Sequence, residues 1–187
     1  MKKAQFFLQM SGVPGSGKTT VAQAVAEATR AIIIDHDVSK SALLDANVPV
    51  ALAGPASYIV LQAMGRHLVS QGHSVIFDSP CLYTEQLEFG MNLARETGIR
   101  YLYIECVTEN LDEIDRRLKS RPNHRSQLTS VRDKPSAGSG KPVVNDQLFL
   151  DWMQNMKRPD DYLALDTSQQ IEEYTPIAIN YVNQSLI

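Results

Sequence analysis

The chain has 187 residues, 43% hydrophobic and 21% charged, with a formal net charge of −3. That length suits one compact domain over residues 1–187 rather than two, and the slight negative charge gives no reason to expect a polyanionic partner. The apolar stretch from Ala4 to Met10 is too short to span a membrane and has no small-residue cleavage pattern after it, so a cytoplasmic protein is expected.

Along the chain, apolar runs of strand length alternate with stretches of helical period, the pattern of a parallel sheet covered by helices. Strands are predicted over 5–9, 31–34, 75–77, 101–106 and 162–165. Helices are predicted over 18–29, 38–46, 56–71, 84–97, 110–119, 146–156 and 175–183. Ile32-Ile33-Ile34 and Val75-Ile76-Phe77 do not alternate with polar residues, so both faces of those strands should be buried. Cys81 and Cys106 lie beside apolar runs, with no CxxC and no histidine cluster, and are expected to be buried reduced thiols. From 121 to 145 no period is sustained, and the segment 135–142 is flexible by composition. A loop of that length inside a compact domain is usually functional or disordered.

Gly12-Val13-Pro14-Gly15-Ser16-Gly17-Lys18-Thr19 satisfies G-x-x-x-x-G-K-[ST] in full, between a predicted strand and a predicted helix. Glycines let the backbone curl so that successive N–H groups point at phosphate oxygens, and the helix opening at Lys18-Thr19-Thr20 adds its positive dipole end. Lys18 is expected to reach the β- and γ-phosphates and the Thr19 hydroxyl to ligate Mg²⁺, so ATP and Mg²⁺ are the implied ligands. Gly138-Ser139-Gly140-Lys141 repeats part of this motif, but Pro142 follows it and no strand precedes it, so it reads as loop.

In an open α/β sheet the ligand lies beyond the carboxyl ends of the strands. Asp78 ends one predicted strand and is expected to hold Mg²⁺, directly or through water. Asp35-His36-Asp37 ends another. Asp37 is the first choice for a base that accepts a proton from an incoming hydroxyl, and Asp35 the second. Either aspartate could instead cap the helix that follows. Lys40, one helical turn beyond Asp37, could steady substrate or carboxylate. His36 reads as structural. Arg117 and Arg121 are spaced to share a helix face, followed by Arg125. They could neutralise charge on a transferring phosphoryl group, or simply be a solvated basic helix end.

These residues together resemble the P-loop kinase group, in particular the branch that includes zeta toxin, chloramphenicol phosphotransferase and polynucleotide kinase. The segments from Cys81-Leu82-Tyr83 to Ile104-Glu105-Cys106, and Arg125-Ser126-Gln127, are similar to small ATP-binding kinases of that branch. The resemblance implies a P-loop NTPase α/β/α fold with a five-stranded parallel sheet of order 2-3-1-4-5 and an arginine-bearing lid over about 117–145. It implies Asp37 as the base that activates the acceptor, although Lys40 stands where that branch usually carries arginine. By the same analogy Arg117 and Arg121 are lid arginines, Arg125 is a substrate candidate, and Asp166-Thr167-Ser168 lies near the adenine.

The reading that follows is a kinase acting on a small-molecule acceptor. A P-loop ATPase without an acceptor commonly carries a glutamate immediately after the strand-end aspartate, whereas here Ser79 and Pro80 follow Asp78. A polynucleotide or tRNA kinase would need aromatics to stack on bases, and none occurs between Arg116 and Lys134. The acceptor pocket is expected between the 56–71 helix, the Pro80–Tyr83 turn and the 121–145 loop, with Tyr58 and Tyr83 either lining it or packing in the core.

Overall fold

The computed structural model describes residues 4–135, 141 and 143–186. Residues 136–140 and 142, and with them most of the second Gly-Ser-Gly-Lys stretch, lie outside the described residues.

Five strands form one parallel sheet: β1 (Phe6–Ser11), β2 (Ile32–Asp35), β3 (Val75–Asp78), β4 (Arg100–Val107) and β5 (Leu163–Asp166). Their order is β2-β3-β1-β4-β5, the 2-3-1-4-5 order that the resemblance implied. β1 is buried along its whole length and β3 likewise, because each lies inside the sheet with helices on both faces. Register brings Asp35 and Asp78 side by side at the carboxyl ends of β2 and β3.

Among the described residues seven helices surround the sheet: α1 (Lys18–Thr29), α2 (His36–Asp45), α3 (Val50–Ser70), α4 (Thr84–Thr97), α5 (Leu111–Ser120), α6 (Asp146–Asn155) and α7 (Ile171–Gln184). One face carries α1 and α7, whose Val21, Val25, Tyr174 and Val182 pack with Leu8, Ile76 and Ile104. The other carries α3 and α4, whose Leu61, Val69 and Leu93 pack with Phe7 and Phe77. Gly90 makes that second approach possible. A Cβ there would meet the Tyr101 ring at 2.7 Å and the Phe7 ring at 2.8 Å.

α2 starts at His36, just ahead of its predicted start, and two helices start a full turn or more earlier than their sequence periods predict. α3 begins at Val50 rather than 56 and carries Pro55 inside it. α7 begins at Ile171 rather than 175 and carries Pro176. Proline removes one helical hydrogen bond near the start of each, and packing outweighs that loss. In α7 a capping box between Gln170 and Glu173 also fixes the earlier start.

The aperiodic 121–145 stretch forms neither helix nor strand among its described residues. It nonetheless contributes to a third core, where Leu128, Val131 and Val144 pack with Ile114, Leu118 and Phe149. Asp115 of α5 ties it down, accepting hydrogen bonds from Ser130 Oγ at 2.6 Å and Val131 N at 2.7 Å. Both cysteines are free and buried, and among the described residues no helix is long and apolar enough to cross a membrane.

Candidate active site

The phosphate loop connects β1 to α1, and its backbone conformation explains its glycines. Gly12, Gly15 and Gly17 all adopt positive φ. At Gly12 a Cβ would also lie 2.5 Å from the carbonyl oxygen of Cys106, so the loop can pass β4 only without a side chain there. Lys18 is buried and donates from Nζ to the carbonyls of Gly12 and Val13, at 2.9 Å each. Burial lowers its pKa, opposed chiefly by the Asp78 charge. Ser16 Oγ is buried without a hydrogen-bond partner among the described residues, a polar atom already inside the loop where phosphate oxygens would sit.

Asp78 is 5% exposed at the end of β3. Burial pushes its carboxyl up to about 6, against the Lys18 charge and a hydrogen bond from Thr19. Its Oδ2 has no hydrogen-bond partner among the described residues. A buried carboxylate oxygen left open beside a threonine hydroxyl fits Mg²⁺, which binds through few protein ligands and keeps waters and phosphate oxygens for the rest.

The two aspartates at the end of β2 have different surroundings. Asp35 caps α2, its Oδ1 accepting from Asp37 N at 2.7 Å and Val38 N at 3.2 Å, and burial raises its pKa. Asp37 turns toward the 121–135 connection. Its Oδ1 accepts from Ser126 Oγ at 2.8 Å and its Oδ2 from Gln127 Nε2 at 3.1 Å. His36 stacks on Tyr58 with ring centroids 4.1 Å apart, and burial pushes its pKa down to about 4, so the ring is neutral.

Two cavities meet at this point. A cavity of about 570 Å³ between α2 and α3 is lined by Asp37, Lys40, Tyr58 and Tyr83, with Trp152 on its far wall. A cleft of about 1150 Å³ runs along the start of α1 between α5 and the start of α7. Lys18, Thr19, Asp35, Arg121 and Gln127 line both.

Arg117 lines the cleft, held by Glu113 Oε1 at 2.8 Å and donating to the Thr167 carbonyl at 2.7 Å. Arg121 faces the junction, its pKa lowered by burial and raised again by Asp37, Asp78 and Asp35. Two candidates stand apart from the cavities. Arg125 donates to the Leu44 carbonyl at 2.8 Å and pairs with Asp45, clasping the far end of α2. Thr167 is fully buried beneath the phosphate loop, its hydroxyl bonded to the Ser16 carbonyl at 2.7 Å. The adjoining Ser168, Gln169 and Gln170 line the cleft instead. Ser126 and Gln127 carry no motif of their own. Their only signal in the sequence was membership of the Arg125-Ser126-Gln127 stretch, with nothing to tie it to Asp37.

Comparison with known proteins places this geometry. Solved structures of similar fold include a protein of Chloroflexus aurantiacus described as a kinase, with TM-score 0.74 and 20% identity, covering 99% of this chain and 100% of that one. The Mycobacterium tuberculosis APS kinase in complex with AMPPNP and APS gives TM-score 0.67 and 20% identity, covering 97% of this chain and 99% of that one. A gluconokinase from Sinorhizobium meliloti gives TM-score 0.61 and 19% identity, covering 98% and 95%. Identities this low establish a shared P-loop kinase fold and leave the substrate open. No curated protein sequence matches this one at a significant level. The AAA domain family matches residues 8–136, more than half of the chain and all of the phosphate loop, Asp37 and Asp78, and the protein belongs to that family.

Proposed function

We propose that the protein is an ATP-dependent phosphotransferase that moves the γ-phosphoryl group of Mg²⁺-ATP onto a hydroxyl of a small-molecule acceptor. The observation that carries this reading is the junction of the two cavities, with Asp37 on one side and Lys18, Thr19 and Arg121 between them. Triphosphate lies in the cleft against the backbone N–H groups from Val13 to Thr20, with Arg117 alongside. The acceptor lies in the α2–α3 cavity. Thr19 and Asp78 would hold Mg²⁺, which when bound neutralises charge on the β- and γ-phosphates.

As the acceptor oxygen bonds to the γ-phosphorus, the bond from that phosphorus to the ADP oxygen breaks and ADP leaves. The acceptor proton passes to Asp37, whose carboxylate is aimed by Ser126 and Gln127. Asp35 is committed to the first amides of α2, which suits a cap better than a base. Lys18 exchanges its two loop carbonyls for phosphate oxygens, and Arg121 stabilises charge on the transferring group. The 121–135 connection acts as a lid that brings Arg121 and Gln127 to the junction together, and Lys40 orients the acceptor. Two buried free thiols suit the reducing cytoplasm.

The direct test is incubation with Mg²⁺-ATP and a metabolite extract, following new phosphorylated species by mass spectrometry with Lys18→Ala as the blank. A product absent from the blank establishes the kinase and names its acceptor. Release of only ADP and phosphate, at a rate that no extract changes, would favour an ATPase without an acceptor.

A further inference from the structure

The outer face of α3 takes no part in the proposed chemistry. The inner side of this helix packs Leu61 and Val69 on the sheet, and Pro55, Tyr58 and Gln62 line the acceptor cavity. The side turned away from both carries Leu52, Ala56, Ile59, Val60 and Ala63, a spacing that aligns side chains in one stripe along a helix. Leu52 is 59% exposed, Ile59 69% and Val60 39%, with Met64 at the flank 46% exposed. From Val50 to Gly65 no residue carries a charge. A lone exposed leucine is ordinary, but a contiguous apolar stripe over roughly three turns of helix marks an interaction surface.

The composition of the stripe selects its partner. A charged peptide or a nucleic acid would find nothing on it to pair with. A helix that lies on a membrane surface carries lysines and arginines along its polar flank. In α3 only Arg66 could serve, and it is paired with Glu96 at 2.7 Å.

A second copy of the same stripe fits better. A two-fold axis between Ile59 and Val60 runs the two helices antiparallel, so that residue i faces j and j faces i. Counting outward from the axis, Ile59 meets Val60, Ala56 meets Ala63 and Leu52 meets His67 of the second copy. Small residues thus face each other on either side of the central contact, which lets the helices approach closely. Charge favours the same direction. Antiparallel packing brings Arg66 and His67 to the α2–α3 turn of the second copy, where the Asp45 side chain is largely exposed, and sets opposite ends of the helix dipoles together. Parallel packing would set Arg66 against Arg66.

We propose that the protein forms a two-fold symmetric dimer through the outer face of α3, packed antiparallel on its own copy about Ile59 and Val60. One helix pair buries less than the roughly 800 Å² per partner of a standard interface, so the association is reversible and of about micromolar strength. The dimer forms whether or not the chain is a kinase, and its test reads no activity.

Sedimentation velocity of the full chain over about 1–300 μM, a range that brackets an interface of this size, should show one chain giving way to two. Ile59→Lys sets like charges together at the centre of the face without entering the core, and should weaken the dimer by roughly tenfold or more. Its Tm should stay at the wild-type value. Cysteine variants read the geometry, since both native thiols are buried. Under mild oxidation with diamide, Ile59→Cys should give a disulfide-linked dimer, because position 59 lies beside the axis. Leu52→Cys should not, because its two copies stand about 20 Å apart along the pair. The cysteine variant at 59 tests the same face even if the lysine variant does not fold. A single chain at every concentration overturns the dimer. If that monomer instead binds phosphatidylcholine vesicles, and Ile59→Lys abolishes the binding, the face belongs to a membrane surface. A dimer that Ile59→Lys leaves intact overturns the assignment to α3. Cross-linking of Leu52→Cys as readily as Ile59→Cys overturns the antiparallel register.

Discussion

Ser126 donates a hydrogen bond to Asp37 at 2.8 Å across 89 residues of chain, joining the 121–135 connection to the first turn of α2. The same hydroxyl lies 3.1 Å from Ser41 Oγ, and Ser126 N donates to that atom at 3.0 Å. The carboxylate proposed as the base is therefore positioned by a segment that also carries Arg121.

That relationship separates two effects by mutation. Asp37→Asn removes the proton acceptor and should lower phosphoryl transfer by about 10²–10⁴-fold. Ser126→Ala leaves the carboxylate but loosens its aim, so a fall of roughly tenfold is expected, the scale of one lost hydrogen bond. Steady-state ADP release measured with the identified acceptor checks both. Equal losses in the two variants would mean that Asp37 acts through structure rather than as the base.

Asp78 combines metal binding with a stability cost. Its carboxyl is pushed up to about 6 from an ordinary 3.8, chiefly by burial. With the folded value raised, the stabilising effect of protonation is complete at low pH and is lost as pH rises from about 4 to about 6. Metal-free Asp78→Asn should accordingly exceed the wild type in stability at pH 8, by roughly 1–3 kcal/mol. The difference should shrink toward pH 4. The variant should also lose most of the Mg²⁺-dependent rise in Tm that ATP gives the wild type. A Tm at pH 8 no higher than the wild type's would show that burial is not what raises the carboxyl.

Two helical glycines should respond to alanine in opposite directions. Helix propensity favours alanine over glycine by about 1 kcal/mol at either position. At Gly54 a Cβ meets nothing within 4 Å, so Gly54→Ala should stabilise by up to that amount. At Gly90 it would meet the Tyr101 and Phe7 rings at 2.7 Å and 2.8 Å, and overpacking of about 1–3 kcal/mol outweighs the gain. Urea denaturation of the two variants gives the signs directly. A stabilised Gly90→Ala would mean that α4 can move off the sheet at little cost.

Asp115 anchors the connection that follows α5. Besides Ser130 and Val131, it binds Lys119 Nζ at 2.8 Å. Burial alone would raise its carboxyl, but these hydrogen bonds outweigh that and hold it down at about 2. A depressed carboxyl supplies stability above its ordinary value of 3.8, lost as pH falls toward 2. Asp115→Ala should cost roughly 1–3 kcal/mol at pH 7 by leaving Ser130 and the Val131 amide unpaired. The acid-induced loss of stability between pH 4 and pH 2 should be smaller in the variant. Proteolysis within 121–135 should also quicken. Unchanged protection of that segment would remove the anchoring role.

Much of this molecule was legible in one dimension because its signals are local. The motif from Gly12 to Thr19 needs only its own glycines and the helix after it. The apolar run of β3 registers burial on both faces without reference to any neighbour, whereas the same expectation fails for β2, an edge strand whose Ile32 and Ile33 are only half-buried. The strand ends then put Asp35 beside Asp78, with Asp37 in the helical turn that follows β2, since parallel strands all deliver their carboxyl ends to the same edge of the sheet. The different surroundings of Asp35 and Asp37 were not legible, because the hydrogen bonds of Asp37 come from Ser126 and Gln127, far along an aperiodic segment. Nor were the positions of Thr167 under the phosphate loop and of Arg125 on the end of α2. Hydrogen bonds of this kind join residues with no common period or spacing, so only the packing of the helices against the sheet could decide them.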